Sequence, residues 1–404
     1  MIRIKDTKYP STAALLGDAI KIAEYYGFTA IEDVPRLSAQ TNIEGRVKKV
    51  PAAAEIESQL SFARKDERGL PSVARKAIMS ARRDGEALFA WRTVQGTGSI
   101  PSVTLELHVF GHASAMAEAL LVVVGSAIAE HAGLKERVLS VNNIGSNESS
   151  GRYVRDVGQY LRKHIDTIAP ALRPRLALDP LGTLIQLIER GHPGIARAPQ
   201  AMEYLTEEER RRFWQFLEFL EVFGLPYELN GMILGSRDVW SHSLYEISTL
   251  DSETQTRLPV AFGGRYDPVV SRFAKRPESA AMIGISVETR GGVKPKKYVR
   301  PDPGIFFAHL GIEARRRALT IIEHLRQAEI PIHQSLTFER LGEQMNVASR
   351  LGVPYILIMG HKEAVENAIL VREVATNSQE TVSIDDLTNY LRRRRMGARA
   401  ESHA

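Results

Sequence analysis

The sequence predicts an α+β protein in two parts: a large domain on an antiparallel sheet with a helical insertion, then a small α/β domain. Three observations carry that prediction. Two alternating runs, Leu88–Val94 (LFAWRTV) and Val103–Phe110 (VTLELHVF), are joined by the turn-rich QGTGSIPS and read as an antiparallel hairpin. A composition break at Gly291–Pro303 (GGVKPKKYVRPDP), rich in glycine, proline and basic residues, reads as a linker. Beyond it strands and helices alternate regularly, which implies a largely parallel sheet.

The totals bound the problem. At 404 residues, the chain has room for two or three domains. Hydrophobic content of 44% and charged content of 25% are those of an ordinary globular protein. A net charge of +5 permits a nucleic-acid partner without demanding one, because basic and acidic residues are interleaved. The absence of cysteine excludes disulfides, thiolate metal sites and thiol catalysis. MIRIKDTKYP lacks the apolar core of a signal peptide, and the most apolar run, Ala115–Ala129, holds Glu118 and falls short of a membrane span. The expectation is a cytoplasmic protein with no membrane partner.

In chain order, Ser11–Tyr26 has helical spacing, capped after Pro10 and stopped by Gly27. Phe28–Val34 reads as a strand closed by Pro35, Arg46–Gly69 is charged and weakly patterned, and Pro71–Arg83 returns to helix. After the hairpin, Ala113–His131 is an alanine-rich helix ended by Gly133, and Val138–Asn142 a short strand. Gly151–Val222 reads almost wholly helical, with Glu207–Glu221 the clearest amphipath. Tyr227–Leu234, Ser243–Ser248 and Arg257–Phe262 are strand candidates, and Ala280–Val287 is apolar around Gly284. Past the linker the order is strand Gly304–Leu310, helix Glu313–Ala328, strand Ile330–His333, helix Glu339–Gly352, strands Tyr355–Met359 and Ala368–Glu373, and helix Ser383–Arg395 capped by Ser383.

The stretch richest in chemistry is Ala261–Val269 (AFGGRYDPV). Gly263 and Gly264 allow a sharp turn or a close approach to a ligand. Arg265, Tyr266 and Asp267 add a fork donor, a ring and an acceptor; a glycine turn with a structural Arg–Asp pair is the plainer reading. His108 and His112 lack a third ligand nearby, so no metal site is expected. Phe213, Trp214, Phe216 and Phe219 stand at helical spacing and read as core packing. Lys294, Lys296, Lys297 and Arg300 in the linker, and Arg392–Arg395 in the tail, are charge runs able to meet phosphates or simply to be solvated.

Taken together, the parts resemble the histidyl-tRNA synthetase family of class II synthetases. The first helix with YYGFTAIEDVPRL resembles the family's first class II motif, the one that forms its dimer interface, with Pro35 at the motif proline. Arg175–Leu181 (RLALDPL) and Ala198–Leu205 (APQAMEYL) are similar to the two ends of its insertion. Gly235–Ile247 (GSRDVWSHSLYEI) resembles the first histidine-specific motif, and Gly263–Asp267 matches the second. Gly360–Gln379 resembles the anticodon-binding domain, including Arg372 and the Thr376…Gln379 spacing. The resemblance implies a class II antiparallel sheet flanked by helices over 1–290, an insertion at about 150–225, a basic linker at 291–303, an anticodon-binding-like domain at 304–395 and a tail at 396–404. It also implies a homodimer and a tRNA partner.

It further implies an amino-acid and ATP pocket formed from Thr104, Glu106, His108, Asp238, Trp240, Glu246, Gly263, Gly264, Arg265, Tyr266, Asp267 and Glu288, with Lys294, Lys296, Lys297, Arg300, Arg372, Thr376 and Gln379 facing nucleic acid. An active enzyme would add ATP and Mg²⁺, with Arg237 and Arg265 as catalytic candidates. The departures fall on the chemistry, however. The hairpin loop has no Arg-x-Glu and no arginine beyond Arg92. Glu288 is in place, but Thr289 stands where the family has an adenine-covering arginine, and Arg290 comes one residue late. By the spacing from Asp238 and Glu246, the catalytic arginine position is Gly235, with Arg237 two residues downstream. Thr104 and His108 occupy the positions that anchor the substrate's amino group, and Glu67–Pro71 (ERGLP) is the nearest counterpart of an Arg-Pro-Glu segment. Losing one preorganised donor costs about 2.7–4 kcal/mol of barrier, so the expectation is a family fold that has lost aminoacylation and acts by binding. Two alternatives stay open: a working histidine–tRNA ligase with a divergent site, and a regulatory subunit of ATP phosphoribosyltransferase. The latter characteristically lacks the anticodon domain whose likeness this chain carries.

Overall fold

The computed structural model describes residues 1–36, 50–60, 67–81, 86–96, 98, 100–251, 254–289, 291, 293, 303–334 and 336–394. Two compact units emerge. One comprises Met1–Thr12, Thr29–Leu217 and Pro226–Val293, the other Ala13–Phe28, Glu218–Leu225 and the described residues of Lys294–Ala404.

The first unit is built on an eight-stranded sheet. Its strands are β1 (Thr29–Ala30), β2 (Leu88–Gln95), β3 (Ser102–Phe110), β4 (Val138–Asn143), β5 (Tyr227–Leu229), β6 (Ser241–Leu250), β7 (Arg257–Arg265) and β8 (Ala280–Glu288), in the order β1-β2-β3-β8-β7-β6-β4-β5. All neighbours are antiparallel except the two edge pairs, β1 with β2 and β4 with β5. The helices are α2 (Ala53–Gln59), α3 (Leu70–Ile78), α4 (Met116–His131), α5 (Asn147–Lys163), α6 (Arg173–Leu178), α7 (Pro180–Glu189), α8 (Glu207–Phe223, as far as Leu217) and α9 (Asp267–Ala274). Nearly every side chain of α4 is buried, and it packs on β3, β6, β7 and β8. A helix apolar all round is expected in such a fully covered position.

Strand parity decides what each face offers. Along β3, Thr104, Glu106, His108 and Phe110 share one face, opposite Ser286, Gly284, Met282 and Ala280 of β8. A core of Phe110, Trp240, Leu244, Tyr266, Ala280 and Met282, with residues from α2, α3, α5, α7 and α9, covers that face. The Gly-Gly pair of β7 is required by close packing within the sheet. A Cβ on Gly263 would lie 2.1 Å from the Met282 carbonyl oxygen, and one on Gly264 2.6 Å from Leu244 and 2.7 Å from the Ser243 carbonyl oxygen. The strand opposite is bulged between Ser241 and Leu244.

The second unit carries a five-stranded sheet in the order β10-β9-β11-β12-β13. Its elements are α1 (Thr12–Tyr25, from Ala13 onward), β9 (Ile305–His309), α10 (Ile312–Gln327), β10 (His333–Gln334), α11 (Leu341–Leu351), β11 (Tyr355–Met359), α12 (His361–Val365), β12 (Ala368–Glu373), β13 (Gln379–Ser383) and α13 (Ile384–Arg393). Phe306, Ala308, Ala348, Val353 and Ile356 form a core beneath α11. Tyr26 Oη donates to Glu323 at 2.5 Å, and the Tyr25 hydroxyl donates to the Ile330 carbonyl at 2.8 Å.

Several expectations need correction. The sheet of the second unit is mixed: β10, β9 and β11 are parallel, but β12 and β13 run antiparallel. The short connections after β11 and β12 leave no room for a crossover of a dozen residues. The strand expected at Phe28–Val34 is only Thr29–Ala30, that at Tyr227–Leu234 ends at Leu229, and that at Ile330–His333 is His333–Gln334. Helices α2, α9 and α12 and strand β13 were not anticipated. The grouping by contact changes units between Val293 and Lys294, inside the expected linker, and adds Ala13–Phe28 and Glu218–Leu225 to the second unit.

Candidate functional site

On the covered face of β3 that carries Thr104, Glu106 and His108, the polar residues close into a chain. Arg92 Nε donates to Glu106 Oε2 at 2.6 Å, and His108 Nε2 lies 3.1 Å from the same oxygen. His108 Nδ1 is 2.9 Å from Tyr266 Oη. Burial alone would push the Glu106 carboxyl up, but the hydrogen bond from His108 and the Arg92 charge more than offset it and hold it below its usual range. An ionised carboxylate only accepts, so His108 carries its proton on Nε2 and accepts the Tyr266 O–H at Nδ1. Burial lowers the His108 pKa, against the opposing pull of Glu106, so the ring is neutral at pH 7. Phe110 stacks on His108 with centroids 5.7 Å apart. Thr104 Oγ1 is spent on Ser286 Oγ at 2.9 Å. Thr104 and His108, the groups expected to hold a substrate's amino group, are therefore each engaged within the protein, Thr104 by Ser286 and His108 by Glu106 and Tyr266.

Trp240 completes the wall. Its ring meets Tyr266 edge-on at 6.5 Å and Phe262 at 5.4 Å, and its Nε1 donates to Glu67 Oε1 at 2.5 Å. The indole also occupies the space beside Gly235. A Cβ there would lie 2.3 Å from Trp240 Cδ1 and 2.8 Å from Nε1. The position expected to carry the catalytic arginine is thus filled from the next turn of the same loop. Glu67, from the ERGLP segment, reaches this wall.

Arg265 does not. It pairs with Ser241 in the ladder and is buried, with 1% exposed, on the α4 side of the sheet. Its Nη2 donates to the His112 carbonyl at 2.5 Å, its Nη1 lies 3.6 Å from Glu118, and its Nε lies 3.6 Å from Asp267. Glu118 is also bonded by Arg212 at 2.6 Å. The expected pocket wall of Arg265, Tyr266 and Asp267 is therefore split between faces, since neighbouring residues leaving a strand point opposite ways.

Asp267 and Asp238 line a second feature, a cavity of about 510 Å³ with Arg237, Arg272, Ser146, Asn147, Ser241 and His242 in its wall. Arg272 lies 3.8 Å from Asp238. The Asp267 carboxyl accepts the Ala280 N–H at 2.8 Å; burial, opposed by Arg265, pushes its pKa up. Arg237 and Asp238 also border a cavity of about 650 Å³ walled by Arg175, Asp179 and apolar residues of α7. Glu246 lies mid-strand opposite Ser140 and Phe262. Glu288 ends β8, its N–H bonded to the Ile2 carbonyl. Neither lines the Arg237 cavity. Among the described residues no group of three or more His, Asp or Glu is placed to hold a metal ion, and no helix is long and apolar enough to cross a membrane.

In the second unit Arg372, Thr376 and Gln379 come together at the β12–β13 hairpin. Arg372 is paired with Gln379 across the ladder and donates to Asn377, while Thr376 Oγ1 donates to Glu373 at 2.6 Å. Lys294, Lys296, Lys297, Arg300, Arg290 and Arg395 lie outside the described residues. Arg92, Glu67 and Ser286 were missing from the expected pocket; the signal for Arg92 and Ser286 is the register that sets them against Glu106 and Thr104, which a single strand cannot reveal, and Glu67 reaches Trp240 from a 3-10 turn by a tertiary contact.

Residues 305–394 match the family described as an anticodon binding domain. The chain is 25% identical over 72% of its length to a histidine–tRNA ligase of Lysinibacillus sphaericus (strain C3-41), covering 69% of that protein. It is 27% identical, with the same coverage, to histidine–tRNA ligase 1 of Shouchella clausii (strain KSM-K16). The solved structure of apo S. aureus histidyl-tRNA synthetase aligns with a TM-score of 0.49 at 18% identity, over 93% of this chain and 94% of that one.

Proposed function

Starting from a chain that belongs to the histidyl-tRNA synthetase family of class II synthetases, we propose that it no longer forms histidyl-adenylate and acts by binding tRNA. The observation that carries this reading is Trp240 standing in the space beside Gly235, with Glu67 holding its indole. An arginine aimed at an α-phosphate from that position would have to displace the tryptophan. The Arg92–Glu106–His108–Tyr266 chain supports the same reading, because its carboxylate, imidazole and phenol already bond one another, although Arg92 Nη2 has no partner among the described residues. Breaking such a buried network to admit a substrate costs desolvation that a preorganised site avoids.

The anticodon-binding match favours tRNA over the regulatory-subunit alternative. RNA contact is assigned to the Arg372–Thr376–Gln379 hairpin, and the sequence adds the cations Lys294, Lys296, Lys297 and Arg300 of the linker. A homodimer formed through the N-terminal motif belongs to this proposal, and sedimentation at micromolar concentration tests it; a purely monomeric boundary counts against it.

The deciding experiment is histidine-dependent ATP–pyrophosphate exchange. No exchange above background is expected with Mg²⁺ and ATP present. Exchange that vanishes in Arg237→Ala would establish the alternative, a working ligase in which Arg237 has taken the phosphate-facing role; it has no ion-pair or hydrogen-bond partner among the described residues. Filter binding to total tRNA across a salt series then reads the positive half of the proposal. Binding is expected at about 50 mM salt and falls steeply above it; absence of binding there rejects the tRNA role.

A further inference from the structure

We propose that the cavity where β6, α5 and α9 meet binds an oxyanion, phosphate or carboxylate, carried by a small metabolite. Its volume of about 510 Å³ suits one. Its buried donors outnumber their partners. Ser241 lines the wall, is only 5% exposed, and its hydroxyl has no partner among the described residues. Arg272 Nη1 and His242 Nδ1 are likewise buried and unpartnered. Such groups carry a desolvation penalty that a ligand's oxygens would relieve.

The charges point the same way. Asp238 faces Arg272 and Asp267 faces Arg265, which leaves Arg237 as the uncompensated cation in the wall. Burial, reinforced by Arg212 and Arg265, lowers His242 to about 4, so a neutral imidazole is presented at pH 7. Helices α5 and α9 both begin at the cavity, with Ser146–Asn147 and Asp267–Pro268 in its lining. Their N-terminal dipoles add to the positive field, although Glu209 already accepts the Ser146 N–H. None of Thr104, Glu106, His108, Trp240 or Tyr266 lines this cavity. The cavity shares Arg237, Asp238 and Asp267 with the pocket that the family resemblance implies, but none of the hydrogen-bonded chain on β3, so a titration without ATP or histidine reads it apart from adenylation.

The test is calorimetric titration of the full chain with inorganic phosphate and, separately, acetate at fixed ionic strength. Saturable binding of at least one is expected, weakened roughly tenfold by Arg237→Ala, the size of one lost charge-assisted hydrogen bond. Arg237 is partly exposed and unpaired, so that variant keeps the fold, which a thermal melt verifies. Thr104→Val, on the other pocket, is expected to leave the titration unchanged. Tighter phosphate binding assigns a phosphate ester, and tighter acetate binding a carboxylate. No saturable heat from either up to about 10 mM, or binding that Arg237→Ala leaves intact, overturns the proposal.

Discussion

At the scale of single residues, the proposal turns on Gly235, the position where the family resemblance implies an arginine. Gly235 is not a neutral gap, because the indole of Trp240 lies within van der Waals distance of where any side chain would begin. That indole is braced by Glu67 and Phe262 and cannot swing away freely. Gly235→Arg is therefore expected to cost about 1–3 kcal/mol through overpacking, read as a lower urea midpoint at unchanged m-value, and to gain no pyrophosphate exchange. Recovery of exchange by this one change would mean that the pocket is intact behind the tryptophan. Much of this site was legible in the sequence. Thr104, His108, Trp240 and Tyr266 were named from motif positions and do meet on one face. Arg265 was misplaced because it was read by composition. Period-two parity separates it from Tyr266, and the apolar carbonyl-lined space over α4, with Glu118 in its first turn, takes its guanidinium.

At the scale of elements, several buried carboxylates sit at helix starts, Glu118, Asp179 and Glu209 among them. Thr206 and Glu209 form a reciprocal cap at the start of α8: the Thr206 N–H donates to Glu209 at 2.8 Å, and the Glu209 N–H to Thr206 Oγ1 at 3.2 Å. The same carboxylate takes the Ser146 N–H at 2.6 Å and the Ser149 hydroxyl at 2.7 Å, tying α8 to the start of α5. Burial raises its pKa, but these hydrogen bonds prevail and bring it down to about 2. Because the folded value lies below the ordinary 4.5, the stabilisation is fully present above pH 4.5 and is lost as the pH falls toward 2. Glu209→Gln is expected to destabilise by about 1–3 kcal/mol at pH 7, with the gap to the wild type narrowing below pH 4.5. A constant gap across that range in denaturant titrations would show that the charge is not what holds the two helix starts. Elements of this kind were readable where periodicity was strong. Strand β13 (QETVS), polar and mostly exposed, has no apolar alternation to reveal it. Helix α9 was hidden because GGRYDP was read only as a turn, although proline in a first turn is itself a helix signal.

At the scale of the whole molecule, chain order and spatial grouping disagree, and the disagreement is testable. A linker read from composition suggests that everything before it folds apart from everything after it. The described residues instead place Ala13–Phe28 in the C-terminal unit, by contacts separated by about three hundred residues in sequence: Tyr26 Oη to Glu323, Tyr25 Oη to the Ile330 carbonyl, and Gln334 Nε2 to the Tyr26 carbonyl. No local pattern in α1 announces that destination, since an amphipathic face reports only that it will be covered. Burial raises the Glu323 carboxyl, but Arg326 and the Tyr26 hydroxyl outweigh it and keep the group ionised, so the tyrosine donates to a charge. Tyr26→Phe is expected to cost about 1.5–3 kcal/mol, the range for a hydrogen bond to a charged group, and less if Arg326 and Gln327 take up the freed lone pair. Hydrogen exchange should locate the loss in α10 and the β9–β10 edge, with the eight-stranded sheet unaffected. Equal acceleration across both sheets would mean that α1 belongs as much to the first unit as to the second.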